Sequence, residues 1–316
     1  MKEAIAILTS DWHIWGTAPL YRADEPDWFK AMERPLRAIK RFQKQNGDIP
    51  VIIAGDIFDF YNPPPATVNW LMRKMPRNVY AIPGQHDLQN HKLDLIEKSG
   101  FWTLVEGGKI TYLNPDFENT VEVKGFEVKI VSKPWNYEPA IPEKGDVDIL
   151  LYVAHQYIYS NQQNCYIGAD EKGDISKQQD FLNEVDVAVF GDNHIPFNYT
   201  LKNSKKTKIV NCGTLLRRKV DERQNEIGFT VLYSDCSVEK ILFDTDKDIY
   251  SVITGKKKDD TQEEKTAELL KELEQLDTIS FNFEDEINRY LNKEKRSKNE
   301  KNIVTEIISK YKENAK

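Results

Sequence analysis

Apolar and polar positions alternate along this chain with two different periods. Short β-branched runs at residues 4 to 8, about 50 to 54, 78 to 82, 148 to 154 and 186 to 190 read as strands, the last two as buried ones. Between the early runs, Trp28, Met32, Ile39 and Phe42 recur at helical spacing, which predicts a helix from about Asp27 to Gln45 with a kink at Pro35. Asn62-Pro63-Pro64-Pro65 predicts a stiff, non-helical entry to a helix carrying Trp70 and Leu71. Strand and helix patterns alternate to about Asp186, the signature of an α/β arrangement. Lys124-Gly125, flanked by Val121 to Val123 and Phe126 to Val131, signals a hairpin, and Ser234 to Ser237 signals a second. Antiparallel pairs joined to buried strands imply two packed mixed β-sheets with helices outside.

From about Gly255 the composition shifts to Lys, Glu, Asp and Asn, and Lys256 to Asp260 reads as a charged linker. Leu269, Leu270, Leu273 and Leu276 mark one amphipathic helix, and Ile303, Val304, Ile307, Ile308 and Tyr311 mark another. The expected division is therefore 1–250 for the main domain and 251–316 for a short helical extension. Its stripes either pack on the main domain and each other or dock a partner.

A hydrophobic fraction of 40% and a charged fraction of 30% over 316 residues describe an ordinary soluble protein. No run approaches the roughly 20 apolar residues of a membrane span, and residues 4 to 8 are too short for a signal-peptide core, so a cytoplasmic location is the default expectation. Cys165, Cys212 and Cys236 are odd in number, far apart and outside any CxxC spacing, so they indicate neither a disulfide framework nor a zinc knuckle and read as core or surface thiols. A net charge of -7 argues against coating nucleic acid by bulk attraction, but local basic patches or bound cations can still hold a phosphodiester.

Candidate chemistry follows the apolar runs. Asp11-x-His13, Gly55-Asp56 with Asp59, Gly84-Gln85-His86-Asp87, His155 and Gly191-Asp192-Asn193-His194 each stand at or just beyond a predicted strand end. Taken singly, each has a plain alternative: a turn, a loop aspartate, or a buried core histidine. Asp11 and His13 are expected on one side of an extended segment, two residues apart. Together, the five segments would bring imidazoles and carboxylates to one sheet edge, where a pair of metal ions could be held.

In this order the segments resemble the calcineurin-like metallophosphoesterase superfamily over roughly residues 1 to 245. Ser10-Asp11-Trp12-His13 and Asn211 to Arg218 look most like the branch containing the nuclease subunit of double-strand-break repair complexes, phage versions included. The resemblance implies a four-layer sandwich and two divalent ions, manganese or else magnesium. It also implies that Asp11, His13, Asp56 and His194 hold one ion, and that Asp56 bridges to a second held by Gln85, His155 and Asp192. His86 matches the catalytic histidine, a proton donor to the leaving oxygen or a stabiliser of the transition state. The implied reaction is phosphodiester hydrolysis by a metal-activated hydroxide, as in a DNA exo- or endonuclease. Implied partners are DNA, an ATPase of the structural-maintenance-of-chromosomes type docked by the helix at 300 to 313, and a second copy of the chain.

Two residues depart from the family pattern. Gln85 stands where asparagine is usual and Asp192 where histidine is usual, and both fall on the second ion. A carboxylate in place of an imidazole makes that position harder, which suits manganese or magnesium better than zinc. The alternatives are a phosphatase or phosphodiesterase acting on small nucleotides or phosphoproteins, and a non-catalytic binding or scaffold protein whose second site has decayed. Around the centre, Trp12, Trp15 and Tyr61 either stack on a base or simply pack the loops. Arg217 and Arg218 either meet a phosphate or form a solvated surface pair. Lys202, Lys205, Lys206 and Lys208 form a small basic cluster, and His91 takes no assignment.

Overall fold

The computed structural model describes residues 2–251 apart from 141, 142, 167, 168, 178–181, 203 and 204. The expected linker at 256–260 and the amphipathic stripes at 269–276 and 303–311 lie outside the described residues. Twelve strands are formed among them: β1 Ala4–Thr9, β2 Val51–Ala54, β3 Val79–Ile82, β4 Thr111–Tyr112, β5 Asn119–Val123, β6 Phe126–Lys133, β7 Ile149–His155, β8 Val187–Gly191, β9 Phe197–Thr200, β10 Lys208–Asn211, β11 Gly228–Tyr233 and β12 Val238–Leu242. The helices are α1 Trp28–Gln45, α2 Pro65–Lys74 and α3 Gly100–Glu106. They build a sandwich of two mixed six-stranded sheets, ordered β12-β11-β1-β2-β3-β4 and β5-β6-β7-β8-β10-β9.

Within the first sheet β1, β2, β3 and β4 run parallel, and β11 and β12 close one edge antiparallel. In the second, β6, β7, β8 and β10 run parallel between antiparallel β5 and β9. Central strands of both sheets bury both faces, so alternate residues serve different cores and the run reads as continuously apolar. In β2, Ile52 and Ala54 enter the core between the sheets, while Val51 and Ile53 pack toward Met32, Leu36 and Ile39 of α1. In β7, Ile149, Leu151 and Val153 face that same inter-sheet core, and Leu150, Tyr152 and Ala154 join an outer core with Ile158, Leu182 and Leu201.

Local chemistry explains the connections. The Asp27 side chain caps α1 by accepting from Lys30 N–H at 3.0 Å. Helix α1 continues through Pro35 as a single element. Pro65 is the first residue of α2 rather than part of a non-helical entry, because a proline at that position gives up only an N–H that no helical carbonyl could accept. Lys124 and Gly125 both have positive φ, 52° and 82°, the conformation of a two-residue hairpin that matches strand twist. No helix among the described residues is long and apolar enough to cross a membrane.

Candidate metal centre

The exits of β1, β2, β3, β7 and β8 meet at one place between the sheets. Asp11 N–H donates to Gly55 O and His13 N–H to Asp56 O, both at 3.0 Å, which ties the first two exits together. The second sheet joins them through His155 Nδ1–H, donating to Ala54 O at 2.7 Å, and through Asp192 N–H, donating to Asp11 Oδ1 at 3.1 Å. Such a crevice beyond the carboxyl ends of parallel strands is where open α/β sheets bind ligands. Asp11 and His13 do not occupy an extended segment as the D-x-H spacing suggests. Their φ values are 50° and 44°, and Asp56 and Asp192 share the left-handed region at 55° and 81°. Each such residue costs about 1 kcal/mol or more, strain that persists where the surroundings over-determine the backbone.

Close approach leaves no side chain at Gly84. A Cβ there would stand 2.1 Å from Asp56 Oδ1 and 2.6 Å from His155 Nε2, so only glycine lets the β3 exit run against two candidate ligands.

Candidate ligand atoms converge in three groups: Asp11, His13 and His194; Asp11, Asp56 and His155; and His13, Asp56 and His86. Asp11 Oδ1 lies 3.9 Å from Nε2 of both His13 and His194. Asp56 Oδ2 lies 3.7 Å from His13 Nε2 and 3.4 Å from His155 Nε2, which places it centrally, as a bridging ligand must be. His86 enters a group although the resemblance makes it a catalyst. Gln85 and Asp192 stand together instead, Gln85 Nε2 donating to Asp192 Oδ1 at 2.8 Å.

The atoms present fit cations. Asp56 Oδ2, Gln85 Oε1 and His155 Nε2 are buried and have no hydrogen-bond partner among the described residues, Asp56 Oδ2 and His155 Nε2 facing each other at 3.4 Å. Leaving one such atom unpaired costs about 1–3 kcal/mol, and three at one centre call for a shared positive partner. Ala54 O can only accept, so it keeps a proton on His155 Nδ1 and makes Nε2 the atom at which a cation would take the place of a proton. Glu222 Oε1 does the same for His194, whose Nδ1–H donates to it at 2.8 Å.

Electrostatics point the same way. Burial lowers the His13 pKa to about 3, with Arg218 assisting, so this imidazole is neutral and ready to coordinate. Burial also works to lower His155, but Asp56, Asp11 and Asp192 outweigh it and push the pKa up to about 10. For Asp56, the nearby imidazoles overcome burial and hold the carboxyl below its ordinary range. This field attracts a cation as it does a proton.

One supporting residue carries no spacing signal in the sequence. Glu222 lies in a polar 3-10 turn, Asp221–Gln224, that reads as surface loop, yet it is only 2% exposed. Besides orienting His194, it accepts from the N–H groups of Arg218 and Lys219 at 2.6 and 3.0 Å. Burial opposes its charge, but the His194 hydrogen bond and Arg218 bring its pKa down to about 2. A carboxyl held below its ordinary value of 4.5 contributes stability that is complete above that pH and lost as pH falls toward 2. Glu222→Gln should therefore cost on the order of 3 kcal/mol at pH 7. Melting temperatures across pH 2–7 check this: the gap from wild type should close toward pH 2, and a gap that stays constant refutes it.

Asp87 clasps two strand exits. Its Oδ1 accepts from Phe58 N–H at 2.9 Å, and its Oδ2 from Ile57 and Gly84 N–H, both at 3.1 Å. Asp87→Ala strands three buried donors and should destabilise the fold by about 3 kcal/mol or more, a fall in melting temperature of roughly 6–12 °C. A fall under about 2 °C would refute the clasp.

The residues proposed to shape substrate are placed very differently from one another. Trp12 is fully buried and its Nε1–H donates to Thr9 Oγ1 at 3.1 Å, so it is a core residue with no face for a base. Arg218 is also no surface donor: it is 9% exposed and its Nη1 binds Asp59 Oδ1 at 2.7 Å, with Asp59 Oδ1 in turn 3.3 Å from His13 Nδ1. Arg217 is taken up by Asn225 O at 2.8 and 2.9 Å and by Thr245 and Tyr250. Tyr61 is half-buried, its carbonyl accepting from Gly100 N–H. Trp15 alone reaches the lip, edge-on to Phe60 with ring centroids 5.1 Å apart. Sequence reasoning passes over Phe60, which is 43% exposed with its ring 6.4 Å from that of His86.

No curated protein matches this chain. Among solved structures it is similar to an archaeal phosphodiesterase, at 11% identity over 77% of this chain and 100% of that one, with a TM-score of 0.38. It is also similar to a putative 5′-nucleotidase from Staphylococcus aureus, at 13% identity over 85% of this chain and 58% of that one. That second TM-score is 0.50, which supports the fold alone. The family described as calcineurin-like phosphoesterase matches residues 6–196, the stretch that carries every candidate ligand. The chain belongs to the calcineurin-like phosphoesterases, and with them to the metal-dependent hydrolases of phosphoesters.

Proposed function

We propose that this phosphoesterase is a phosphodiesterase acting on DNA, an exo- or endonuclease that works with manganese or magnesium. The observation that carries the reading is the aromatic lip beside His86. Phe60 presents exposed ring surface next to the candidate proton donor, backed edge-on by the half-buried Trp15, and a nucleobase adjoining the scissile phosphate could stack there. A small phosphomonoester offers such a lip no second nucleoside to hold.

Asp11, His13, Asp56 and His194 would hold one ion, and Asp56, Gln85, His155 and Asp192 the other. Bound there, divalent ions supply Lewis-acid charge for the phosphoryl oxygens and lower the pKa of an attacking water. His86 donates Nδ1–H to Asp59 O at 2.8 Å, which fixes the ring and leaves Nε2 to pass a proton to the leaving oxygen. Docking of an ATPase belongs to the same reading, on residues outside those described.

Linear duplex, single-stranded DNA and bis-p-nitrophenyl phosphate, compared under manganese with the monoester p-nitrophenyl phosphate, test the proposal. Cleavage of DNA and of the diester supports it; turnover confined to phosphomonoesters overturns it. The lip has its own readout. Phe60→Ala should lower kcat/KM on oligonucleotides by about 5- to 100-fold, the worth of one stacked base, and leave it unchanged where the adjoining nucleotide is abasic. Phe60→Tyr should retain activity. Equal losses on both oligonucleotides would reject stacking.

A further inference from the structure

The two departures from the family pattern meet. Gln85 follows β3 in the first sheet and Asp192 follows β8 in the second, yet the Gln85 amide donates directly to the Asp192 carboxylate at 2.8 Å. We propose that Gln85 and Asp192 form one co-dependent ligand unit that shifts the second cation position toward oxygen-preferring ions and away from zinc. The inference rests on the two-ion centre described above and is independent of whether DNA is the substrate.

Three features make the pair a unit. A carboxylate can only accept, so the amide nitrogen of Gln85 must face Asp192 and its Oε1 must face the other way. That Oε1 is buried without a donor, as are Asp56 Oδ2 and His155 Nε2. Gln85 is therefore oriented by Asp192 to present oxygen.

The Asp192 backbone has little freedom of its own. Its N–H donates to both oxygens of Asp11 at 3.1 and 3.2 Å. A Cβ at the preceding Gly191 would stand 2.3 Å from Ala54 O, so the β8 exit is pressed against β2. With the main chain held, the Gln85 amide is what directs the carboxylate.

Side-chain length supplies the third feature. Aspartate is shorter than the usual histidine, and glutamine is one methylene longer than the usual asparagine. The extension on one sheet compensates for the shortening on the other, and either change alone would leave a gap or a clash. The resulting donor set is three oxygens, from Asp56, Gln85 and Asp192, and one nitrogen, from His155. Oxygen donors suit manganese and magnesium, whereas imidazoles favour zinc.

The test is calorimetric titration of the metal-stripped full chain with MnCl2 and with ZnCl2, alongside manganese electron paramagnetic resonance. The proteins are wild type, Gln85→Asn, Asp192→His, the double variant, and the nearly isosteric Asp192→Asn. Each single change should weaken manganese at the second position by about 10-fold or more, at least the usual cost when a ligand loses the partner that orients it. Asp192→His should move the manganese-to-zinc affinity ratio at least about 10-fold toward zinc. The double variant should bind a second ion better than the two single losses predict together. Additive losses, or an unchanged metal ratio in Asp192→His, would overturn the pairing while leaving a two-ion centre intact. Asp192→Asn, which keeps an acceptor but loses charge, guards against misfolding; manganese binding equal to wild type there would also count against the proposal. A wild-type protein that takes up a single ion would overturn both this inference and the two-ion centre.

Discussion

Asp56→Asn should lower kcat/KM on any phosphodiester by at least about 10³-fold, equivalent to some 4 kcal/mol of transition-state stabilisation, and manganese, expected to raise the melting temperature of the wild type, should not raise that of the variant. Asp56 follows β2 at the centre of the site. Its Oδ2 faces His13 and His155 without a hydrogen bond, and its Oδ1 accepts from His86 N–H at 3.0 Å. Asparagine keeps the shape and one acceptor, so the β3 exit stays in place. What it removes is the negative charge shared by the two ligand groups, and a cation there would face an amide dipole in place of a carboxylate. Metal stoichiometry together with turnover decides the matter. Near-wild-type turnover with two ions bound would remove Asp56 from its bridging role.

His86→Gln should cost about 10²- to 10⁴-fold on DNA, the range of general acid catalysis. It should cost far less on bis-p-nitrophenyl phosphate, because nitrophenolate leaves without a proton whereas a nucleoside alkoxide needs one. The geometry gives the reason for that split. Asp59 O accepts the His86 Nδ1 proton, so only Nε2 can face a leaving oxygen, and the ring sits edge-on to His13 at 5.0 Å between centroids. Were His86 solely a ligand, both substrates would suffer equally and manganese affinity would fall with them. Matching losses on the two substrates would reject the proton-donor role.

Much of this is legible in the sequence. Short, β-branched apolar runs read as buried strands, and the structure shows why their ends converge: β1, β2 and β3 run parallel in one sheet and β7 and β8 in the other, with their exits at one edge. That is why Asp11, His13, Asp56, Gln85, His86, His155, Asp192 and His194, scattered over 184 positions of the numbering, can be nominated together. The failures have a common cause. Trp12, Arg218 and Glu222 are polar or aromatic residues in loops, and nothing in their spacing separates a buried loop residue from an exposed one. Trp12 packs inward, Arg218 and Glu222 fold beneath the histidines, and Phe60 stands at the lip.

Periodicity, strand-end motifs and hairpin residues are local quantities, and they suffice for the element types, the two-sheet class and the roster of candidate ligands. Pairings between distant segments belong to the tertiary structure. The Gln85–Asp192 hydrogen bond crosses from one sheet to the other, the Glu222–His194 contact joins two loops, and the left-handed turns at Asp11 and His13 are tied to the exit of β2. Each depends on side-chain reach and backbone direction between segments far apart in the chain, which no window of the sequence contains.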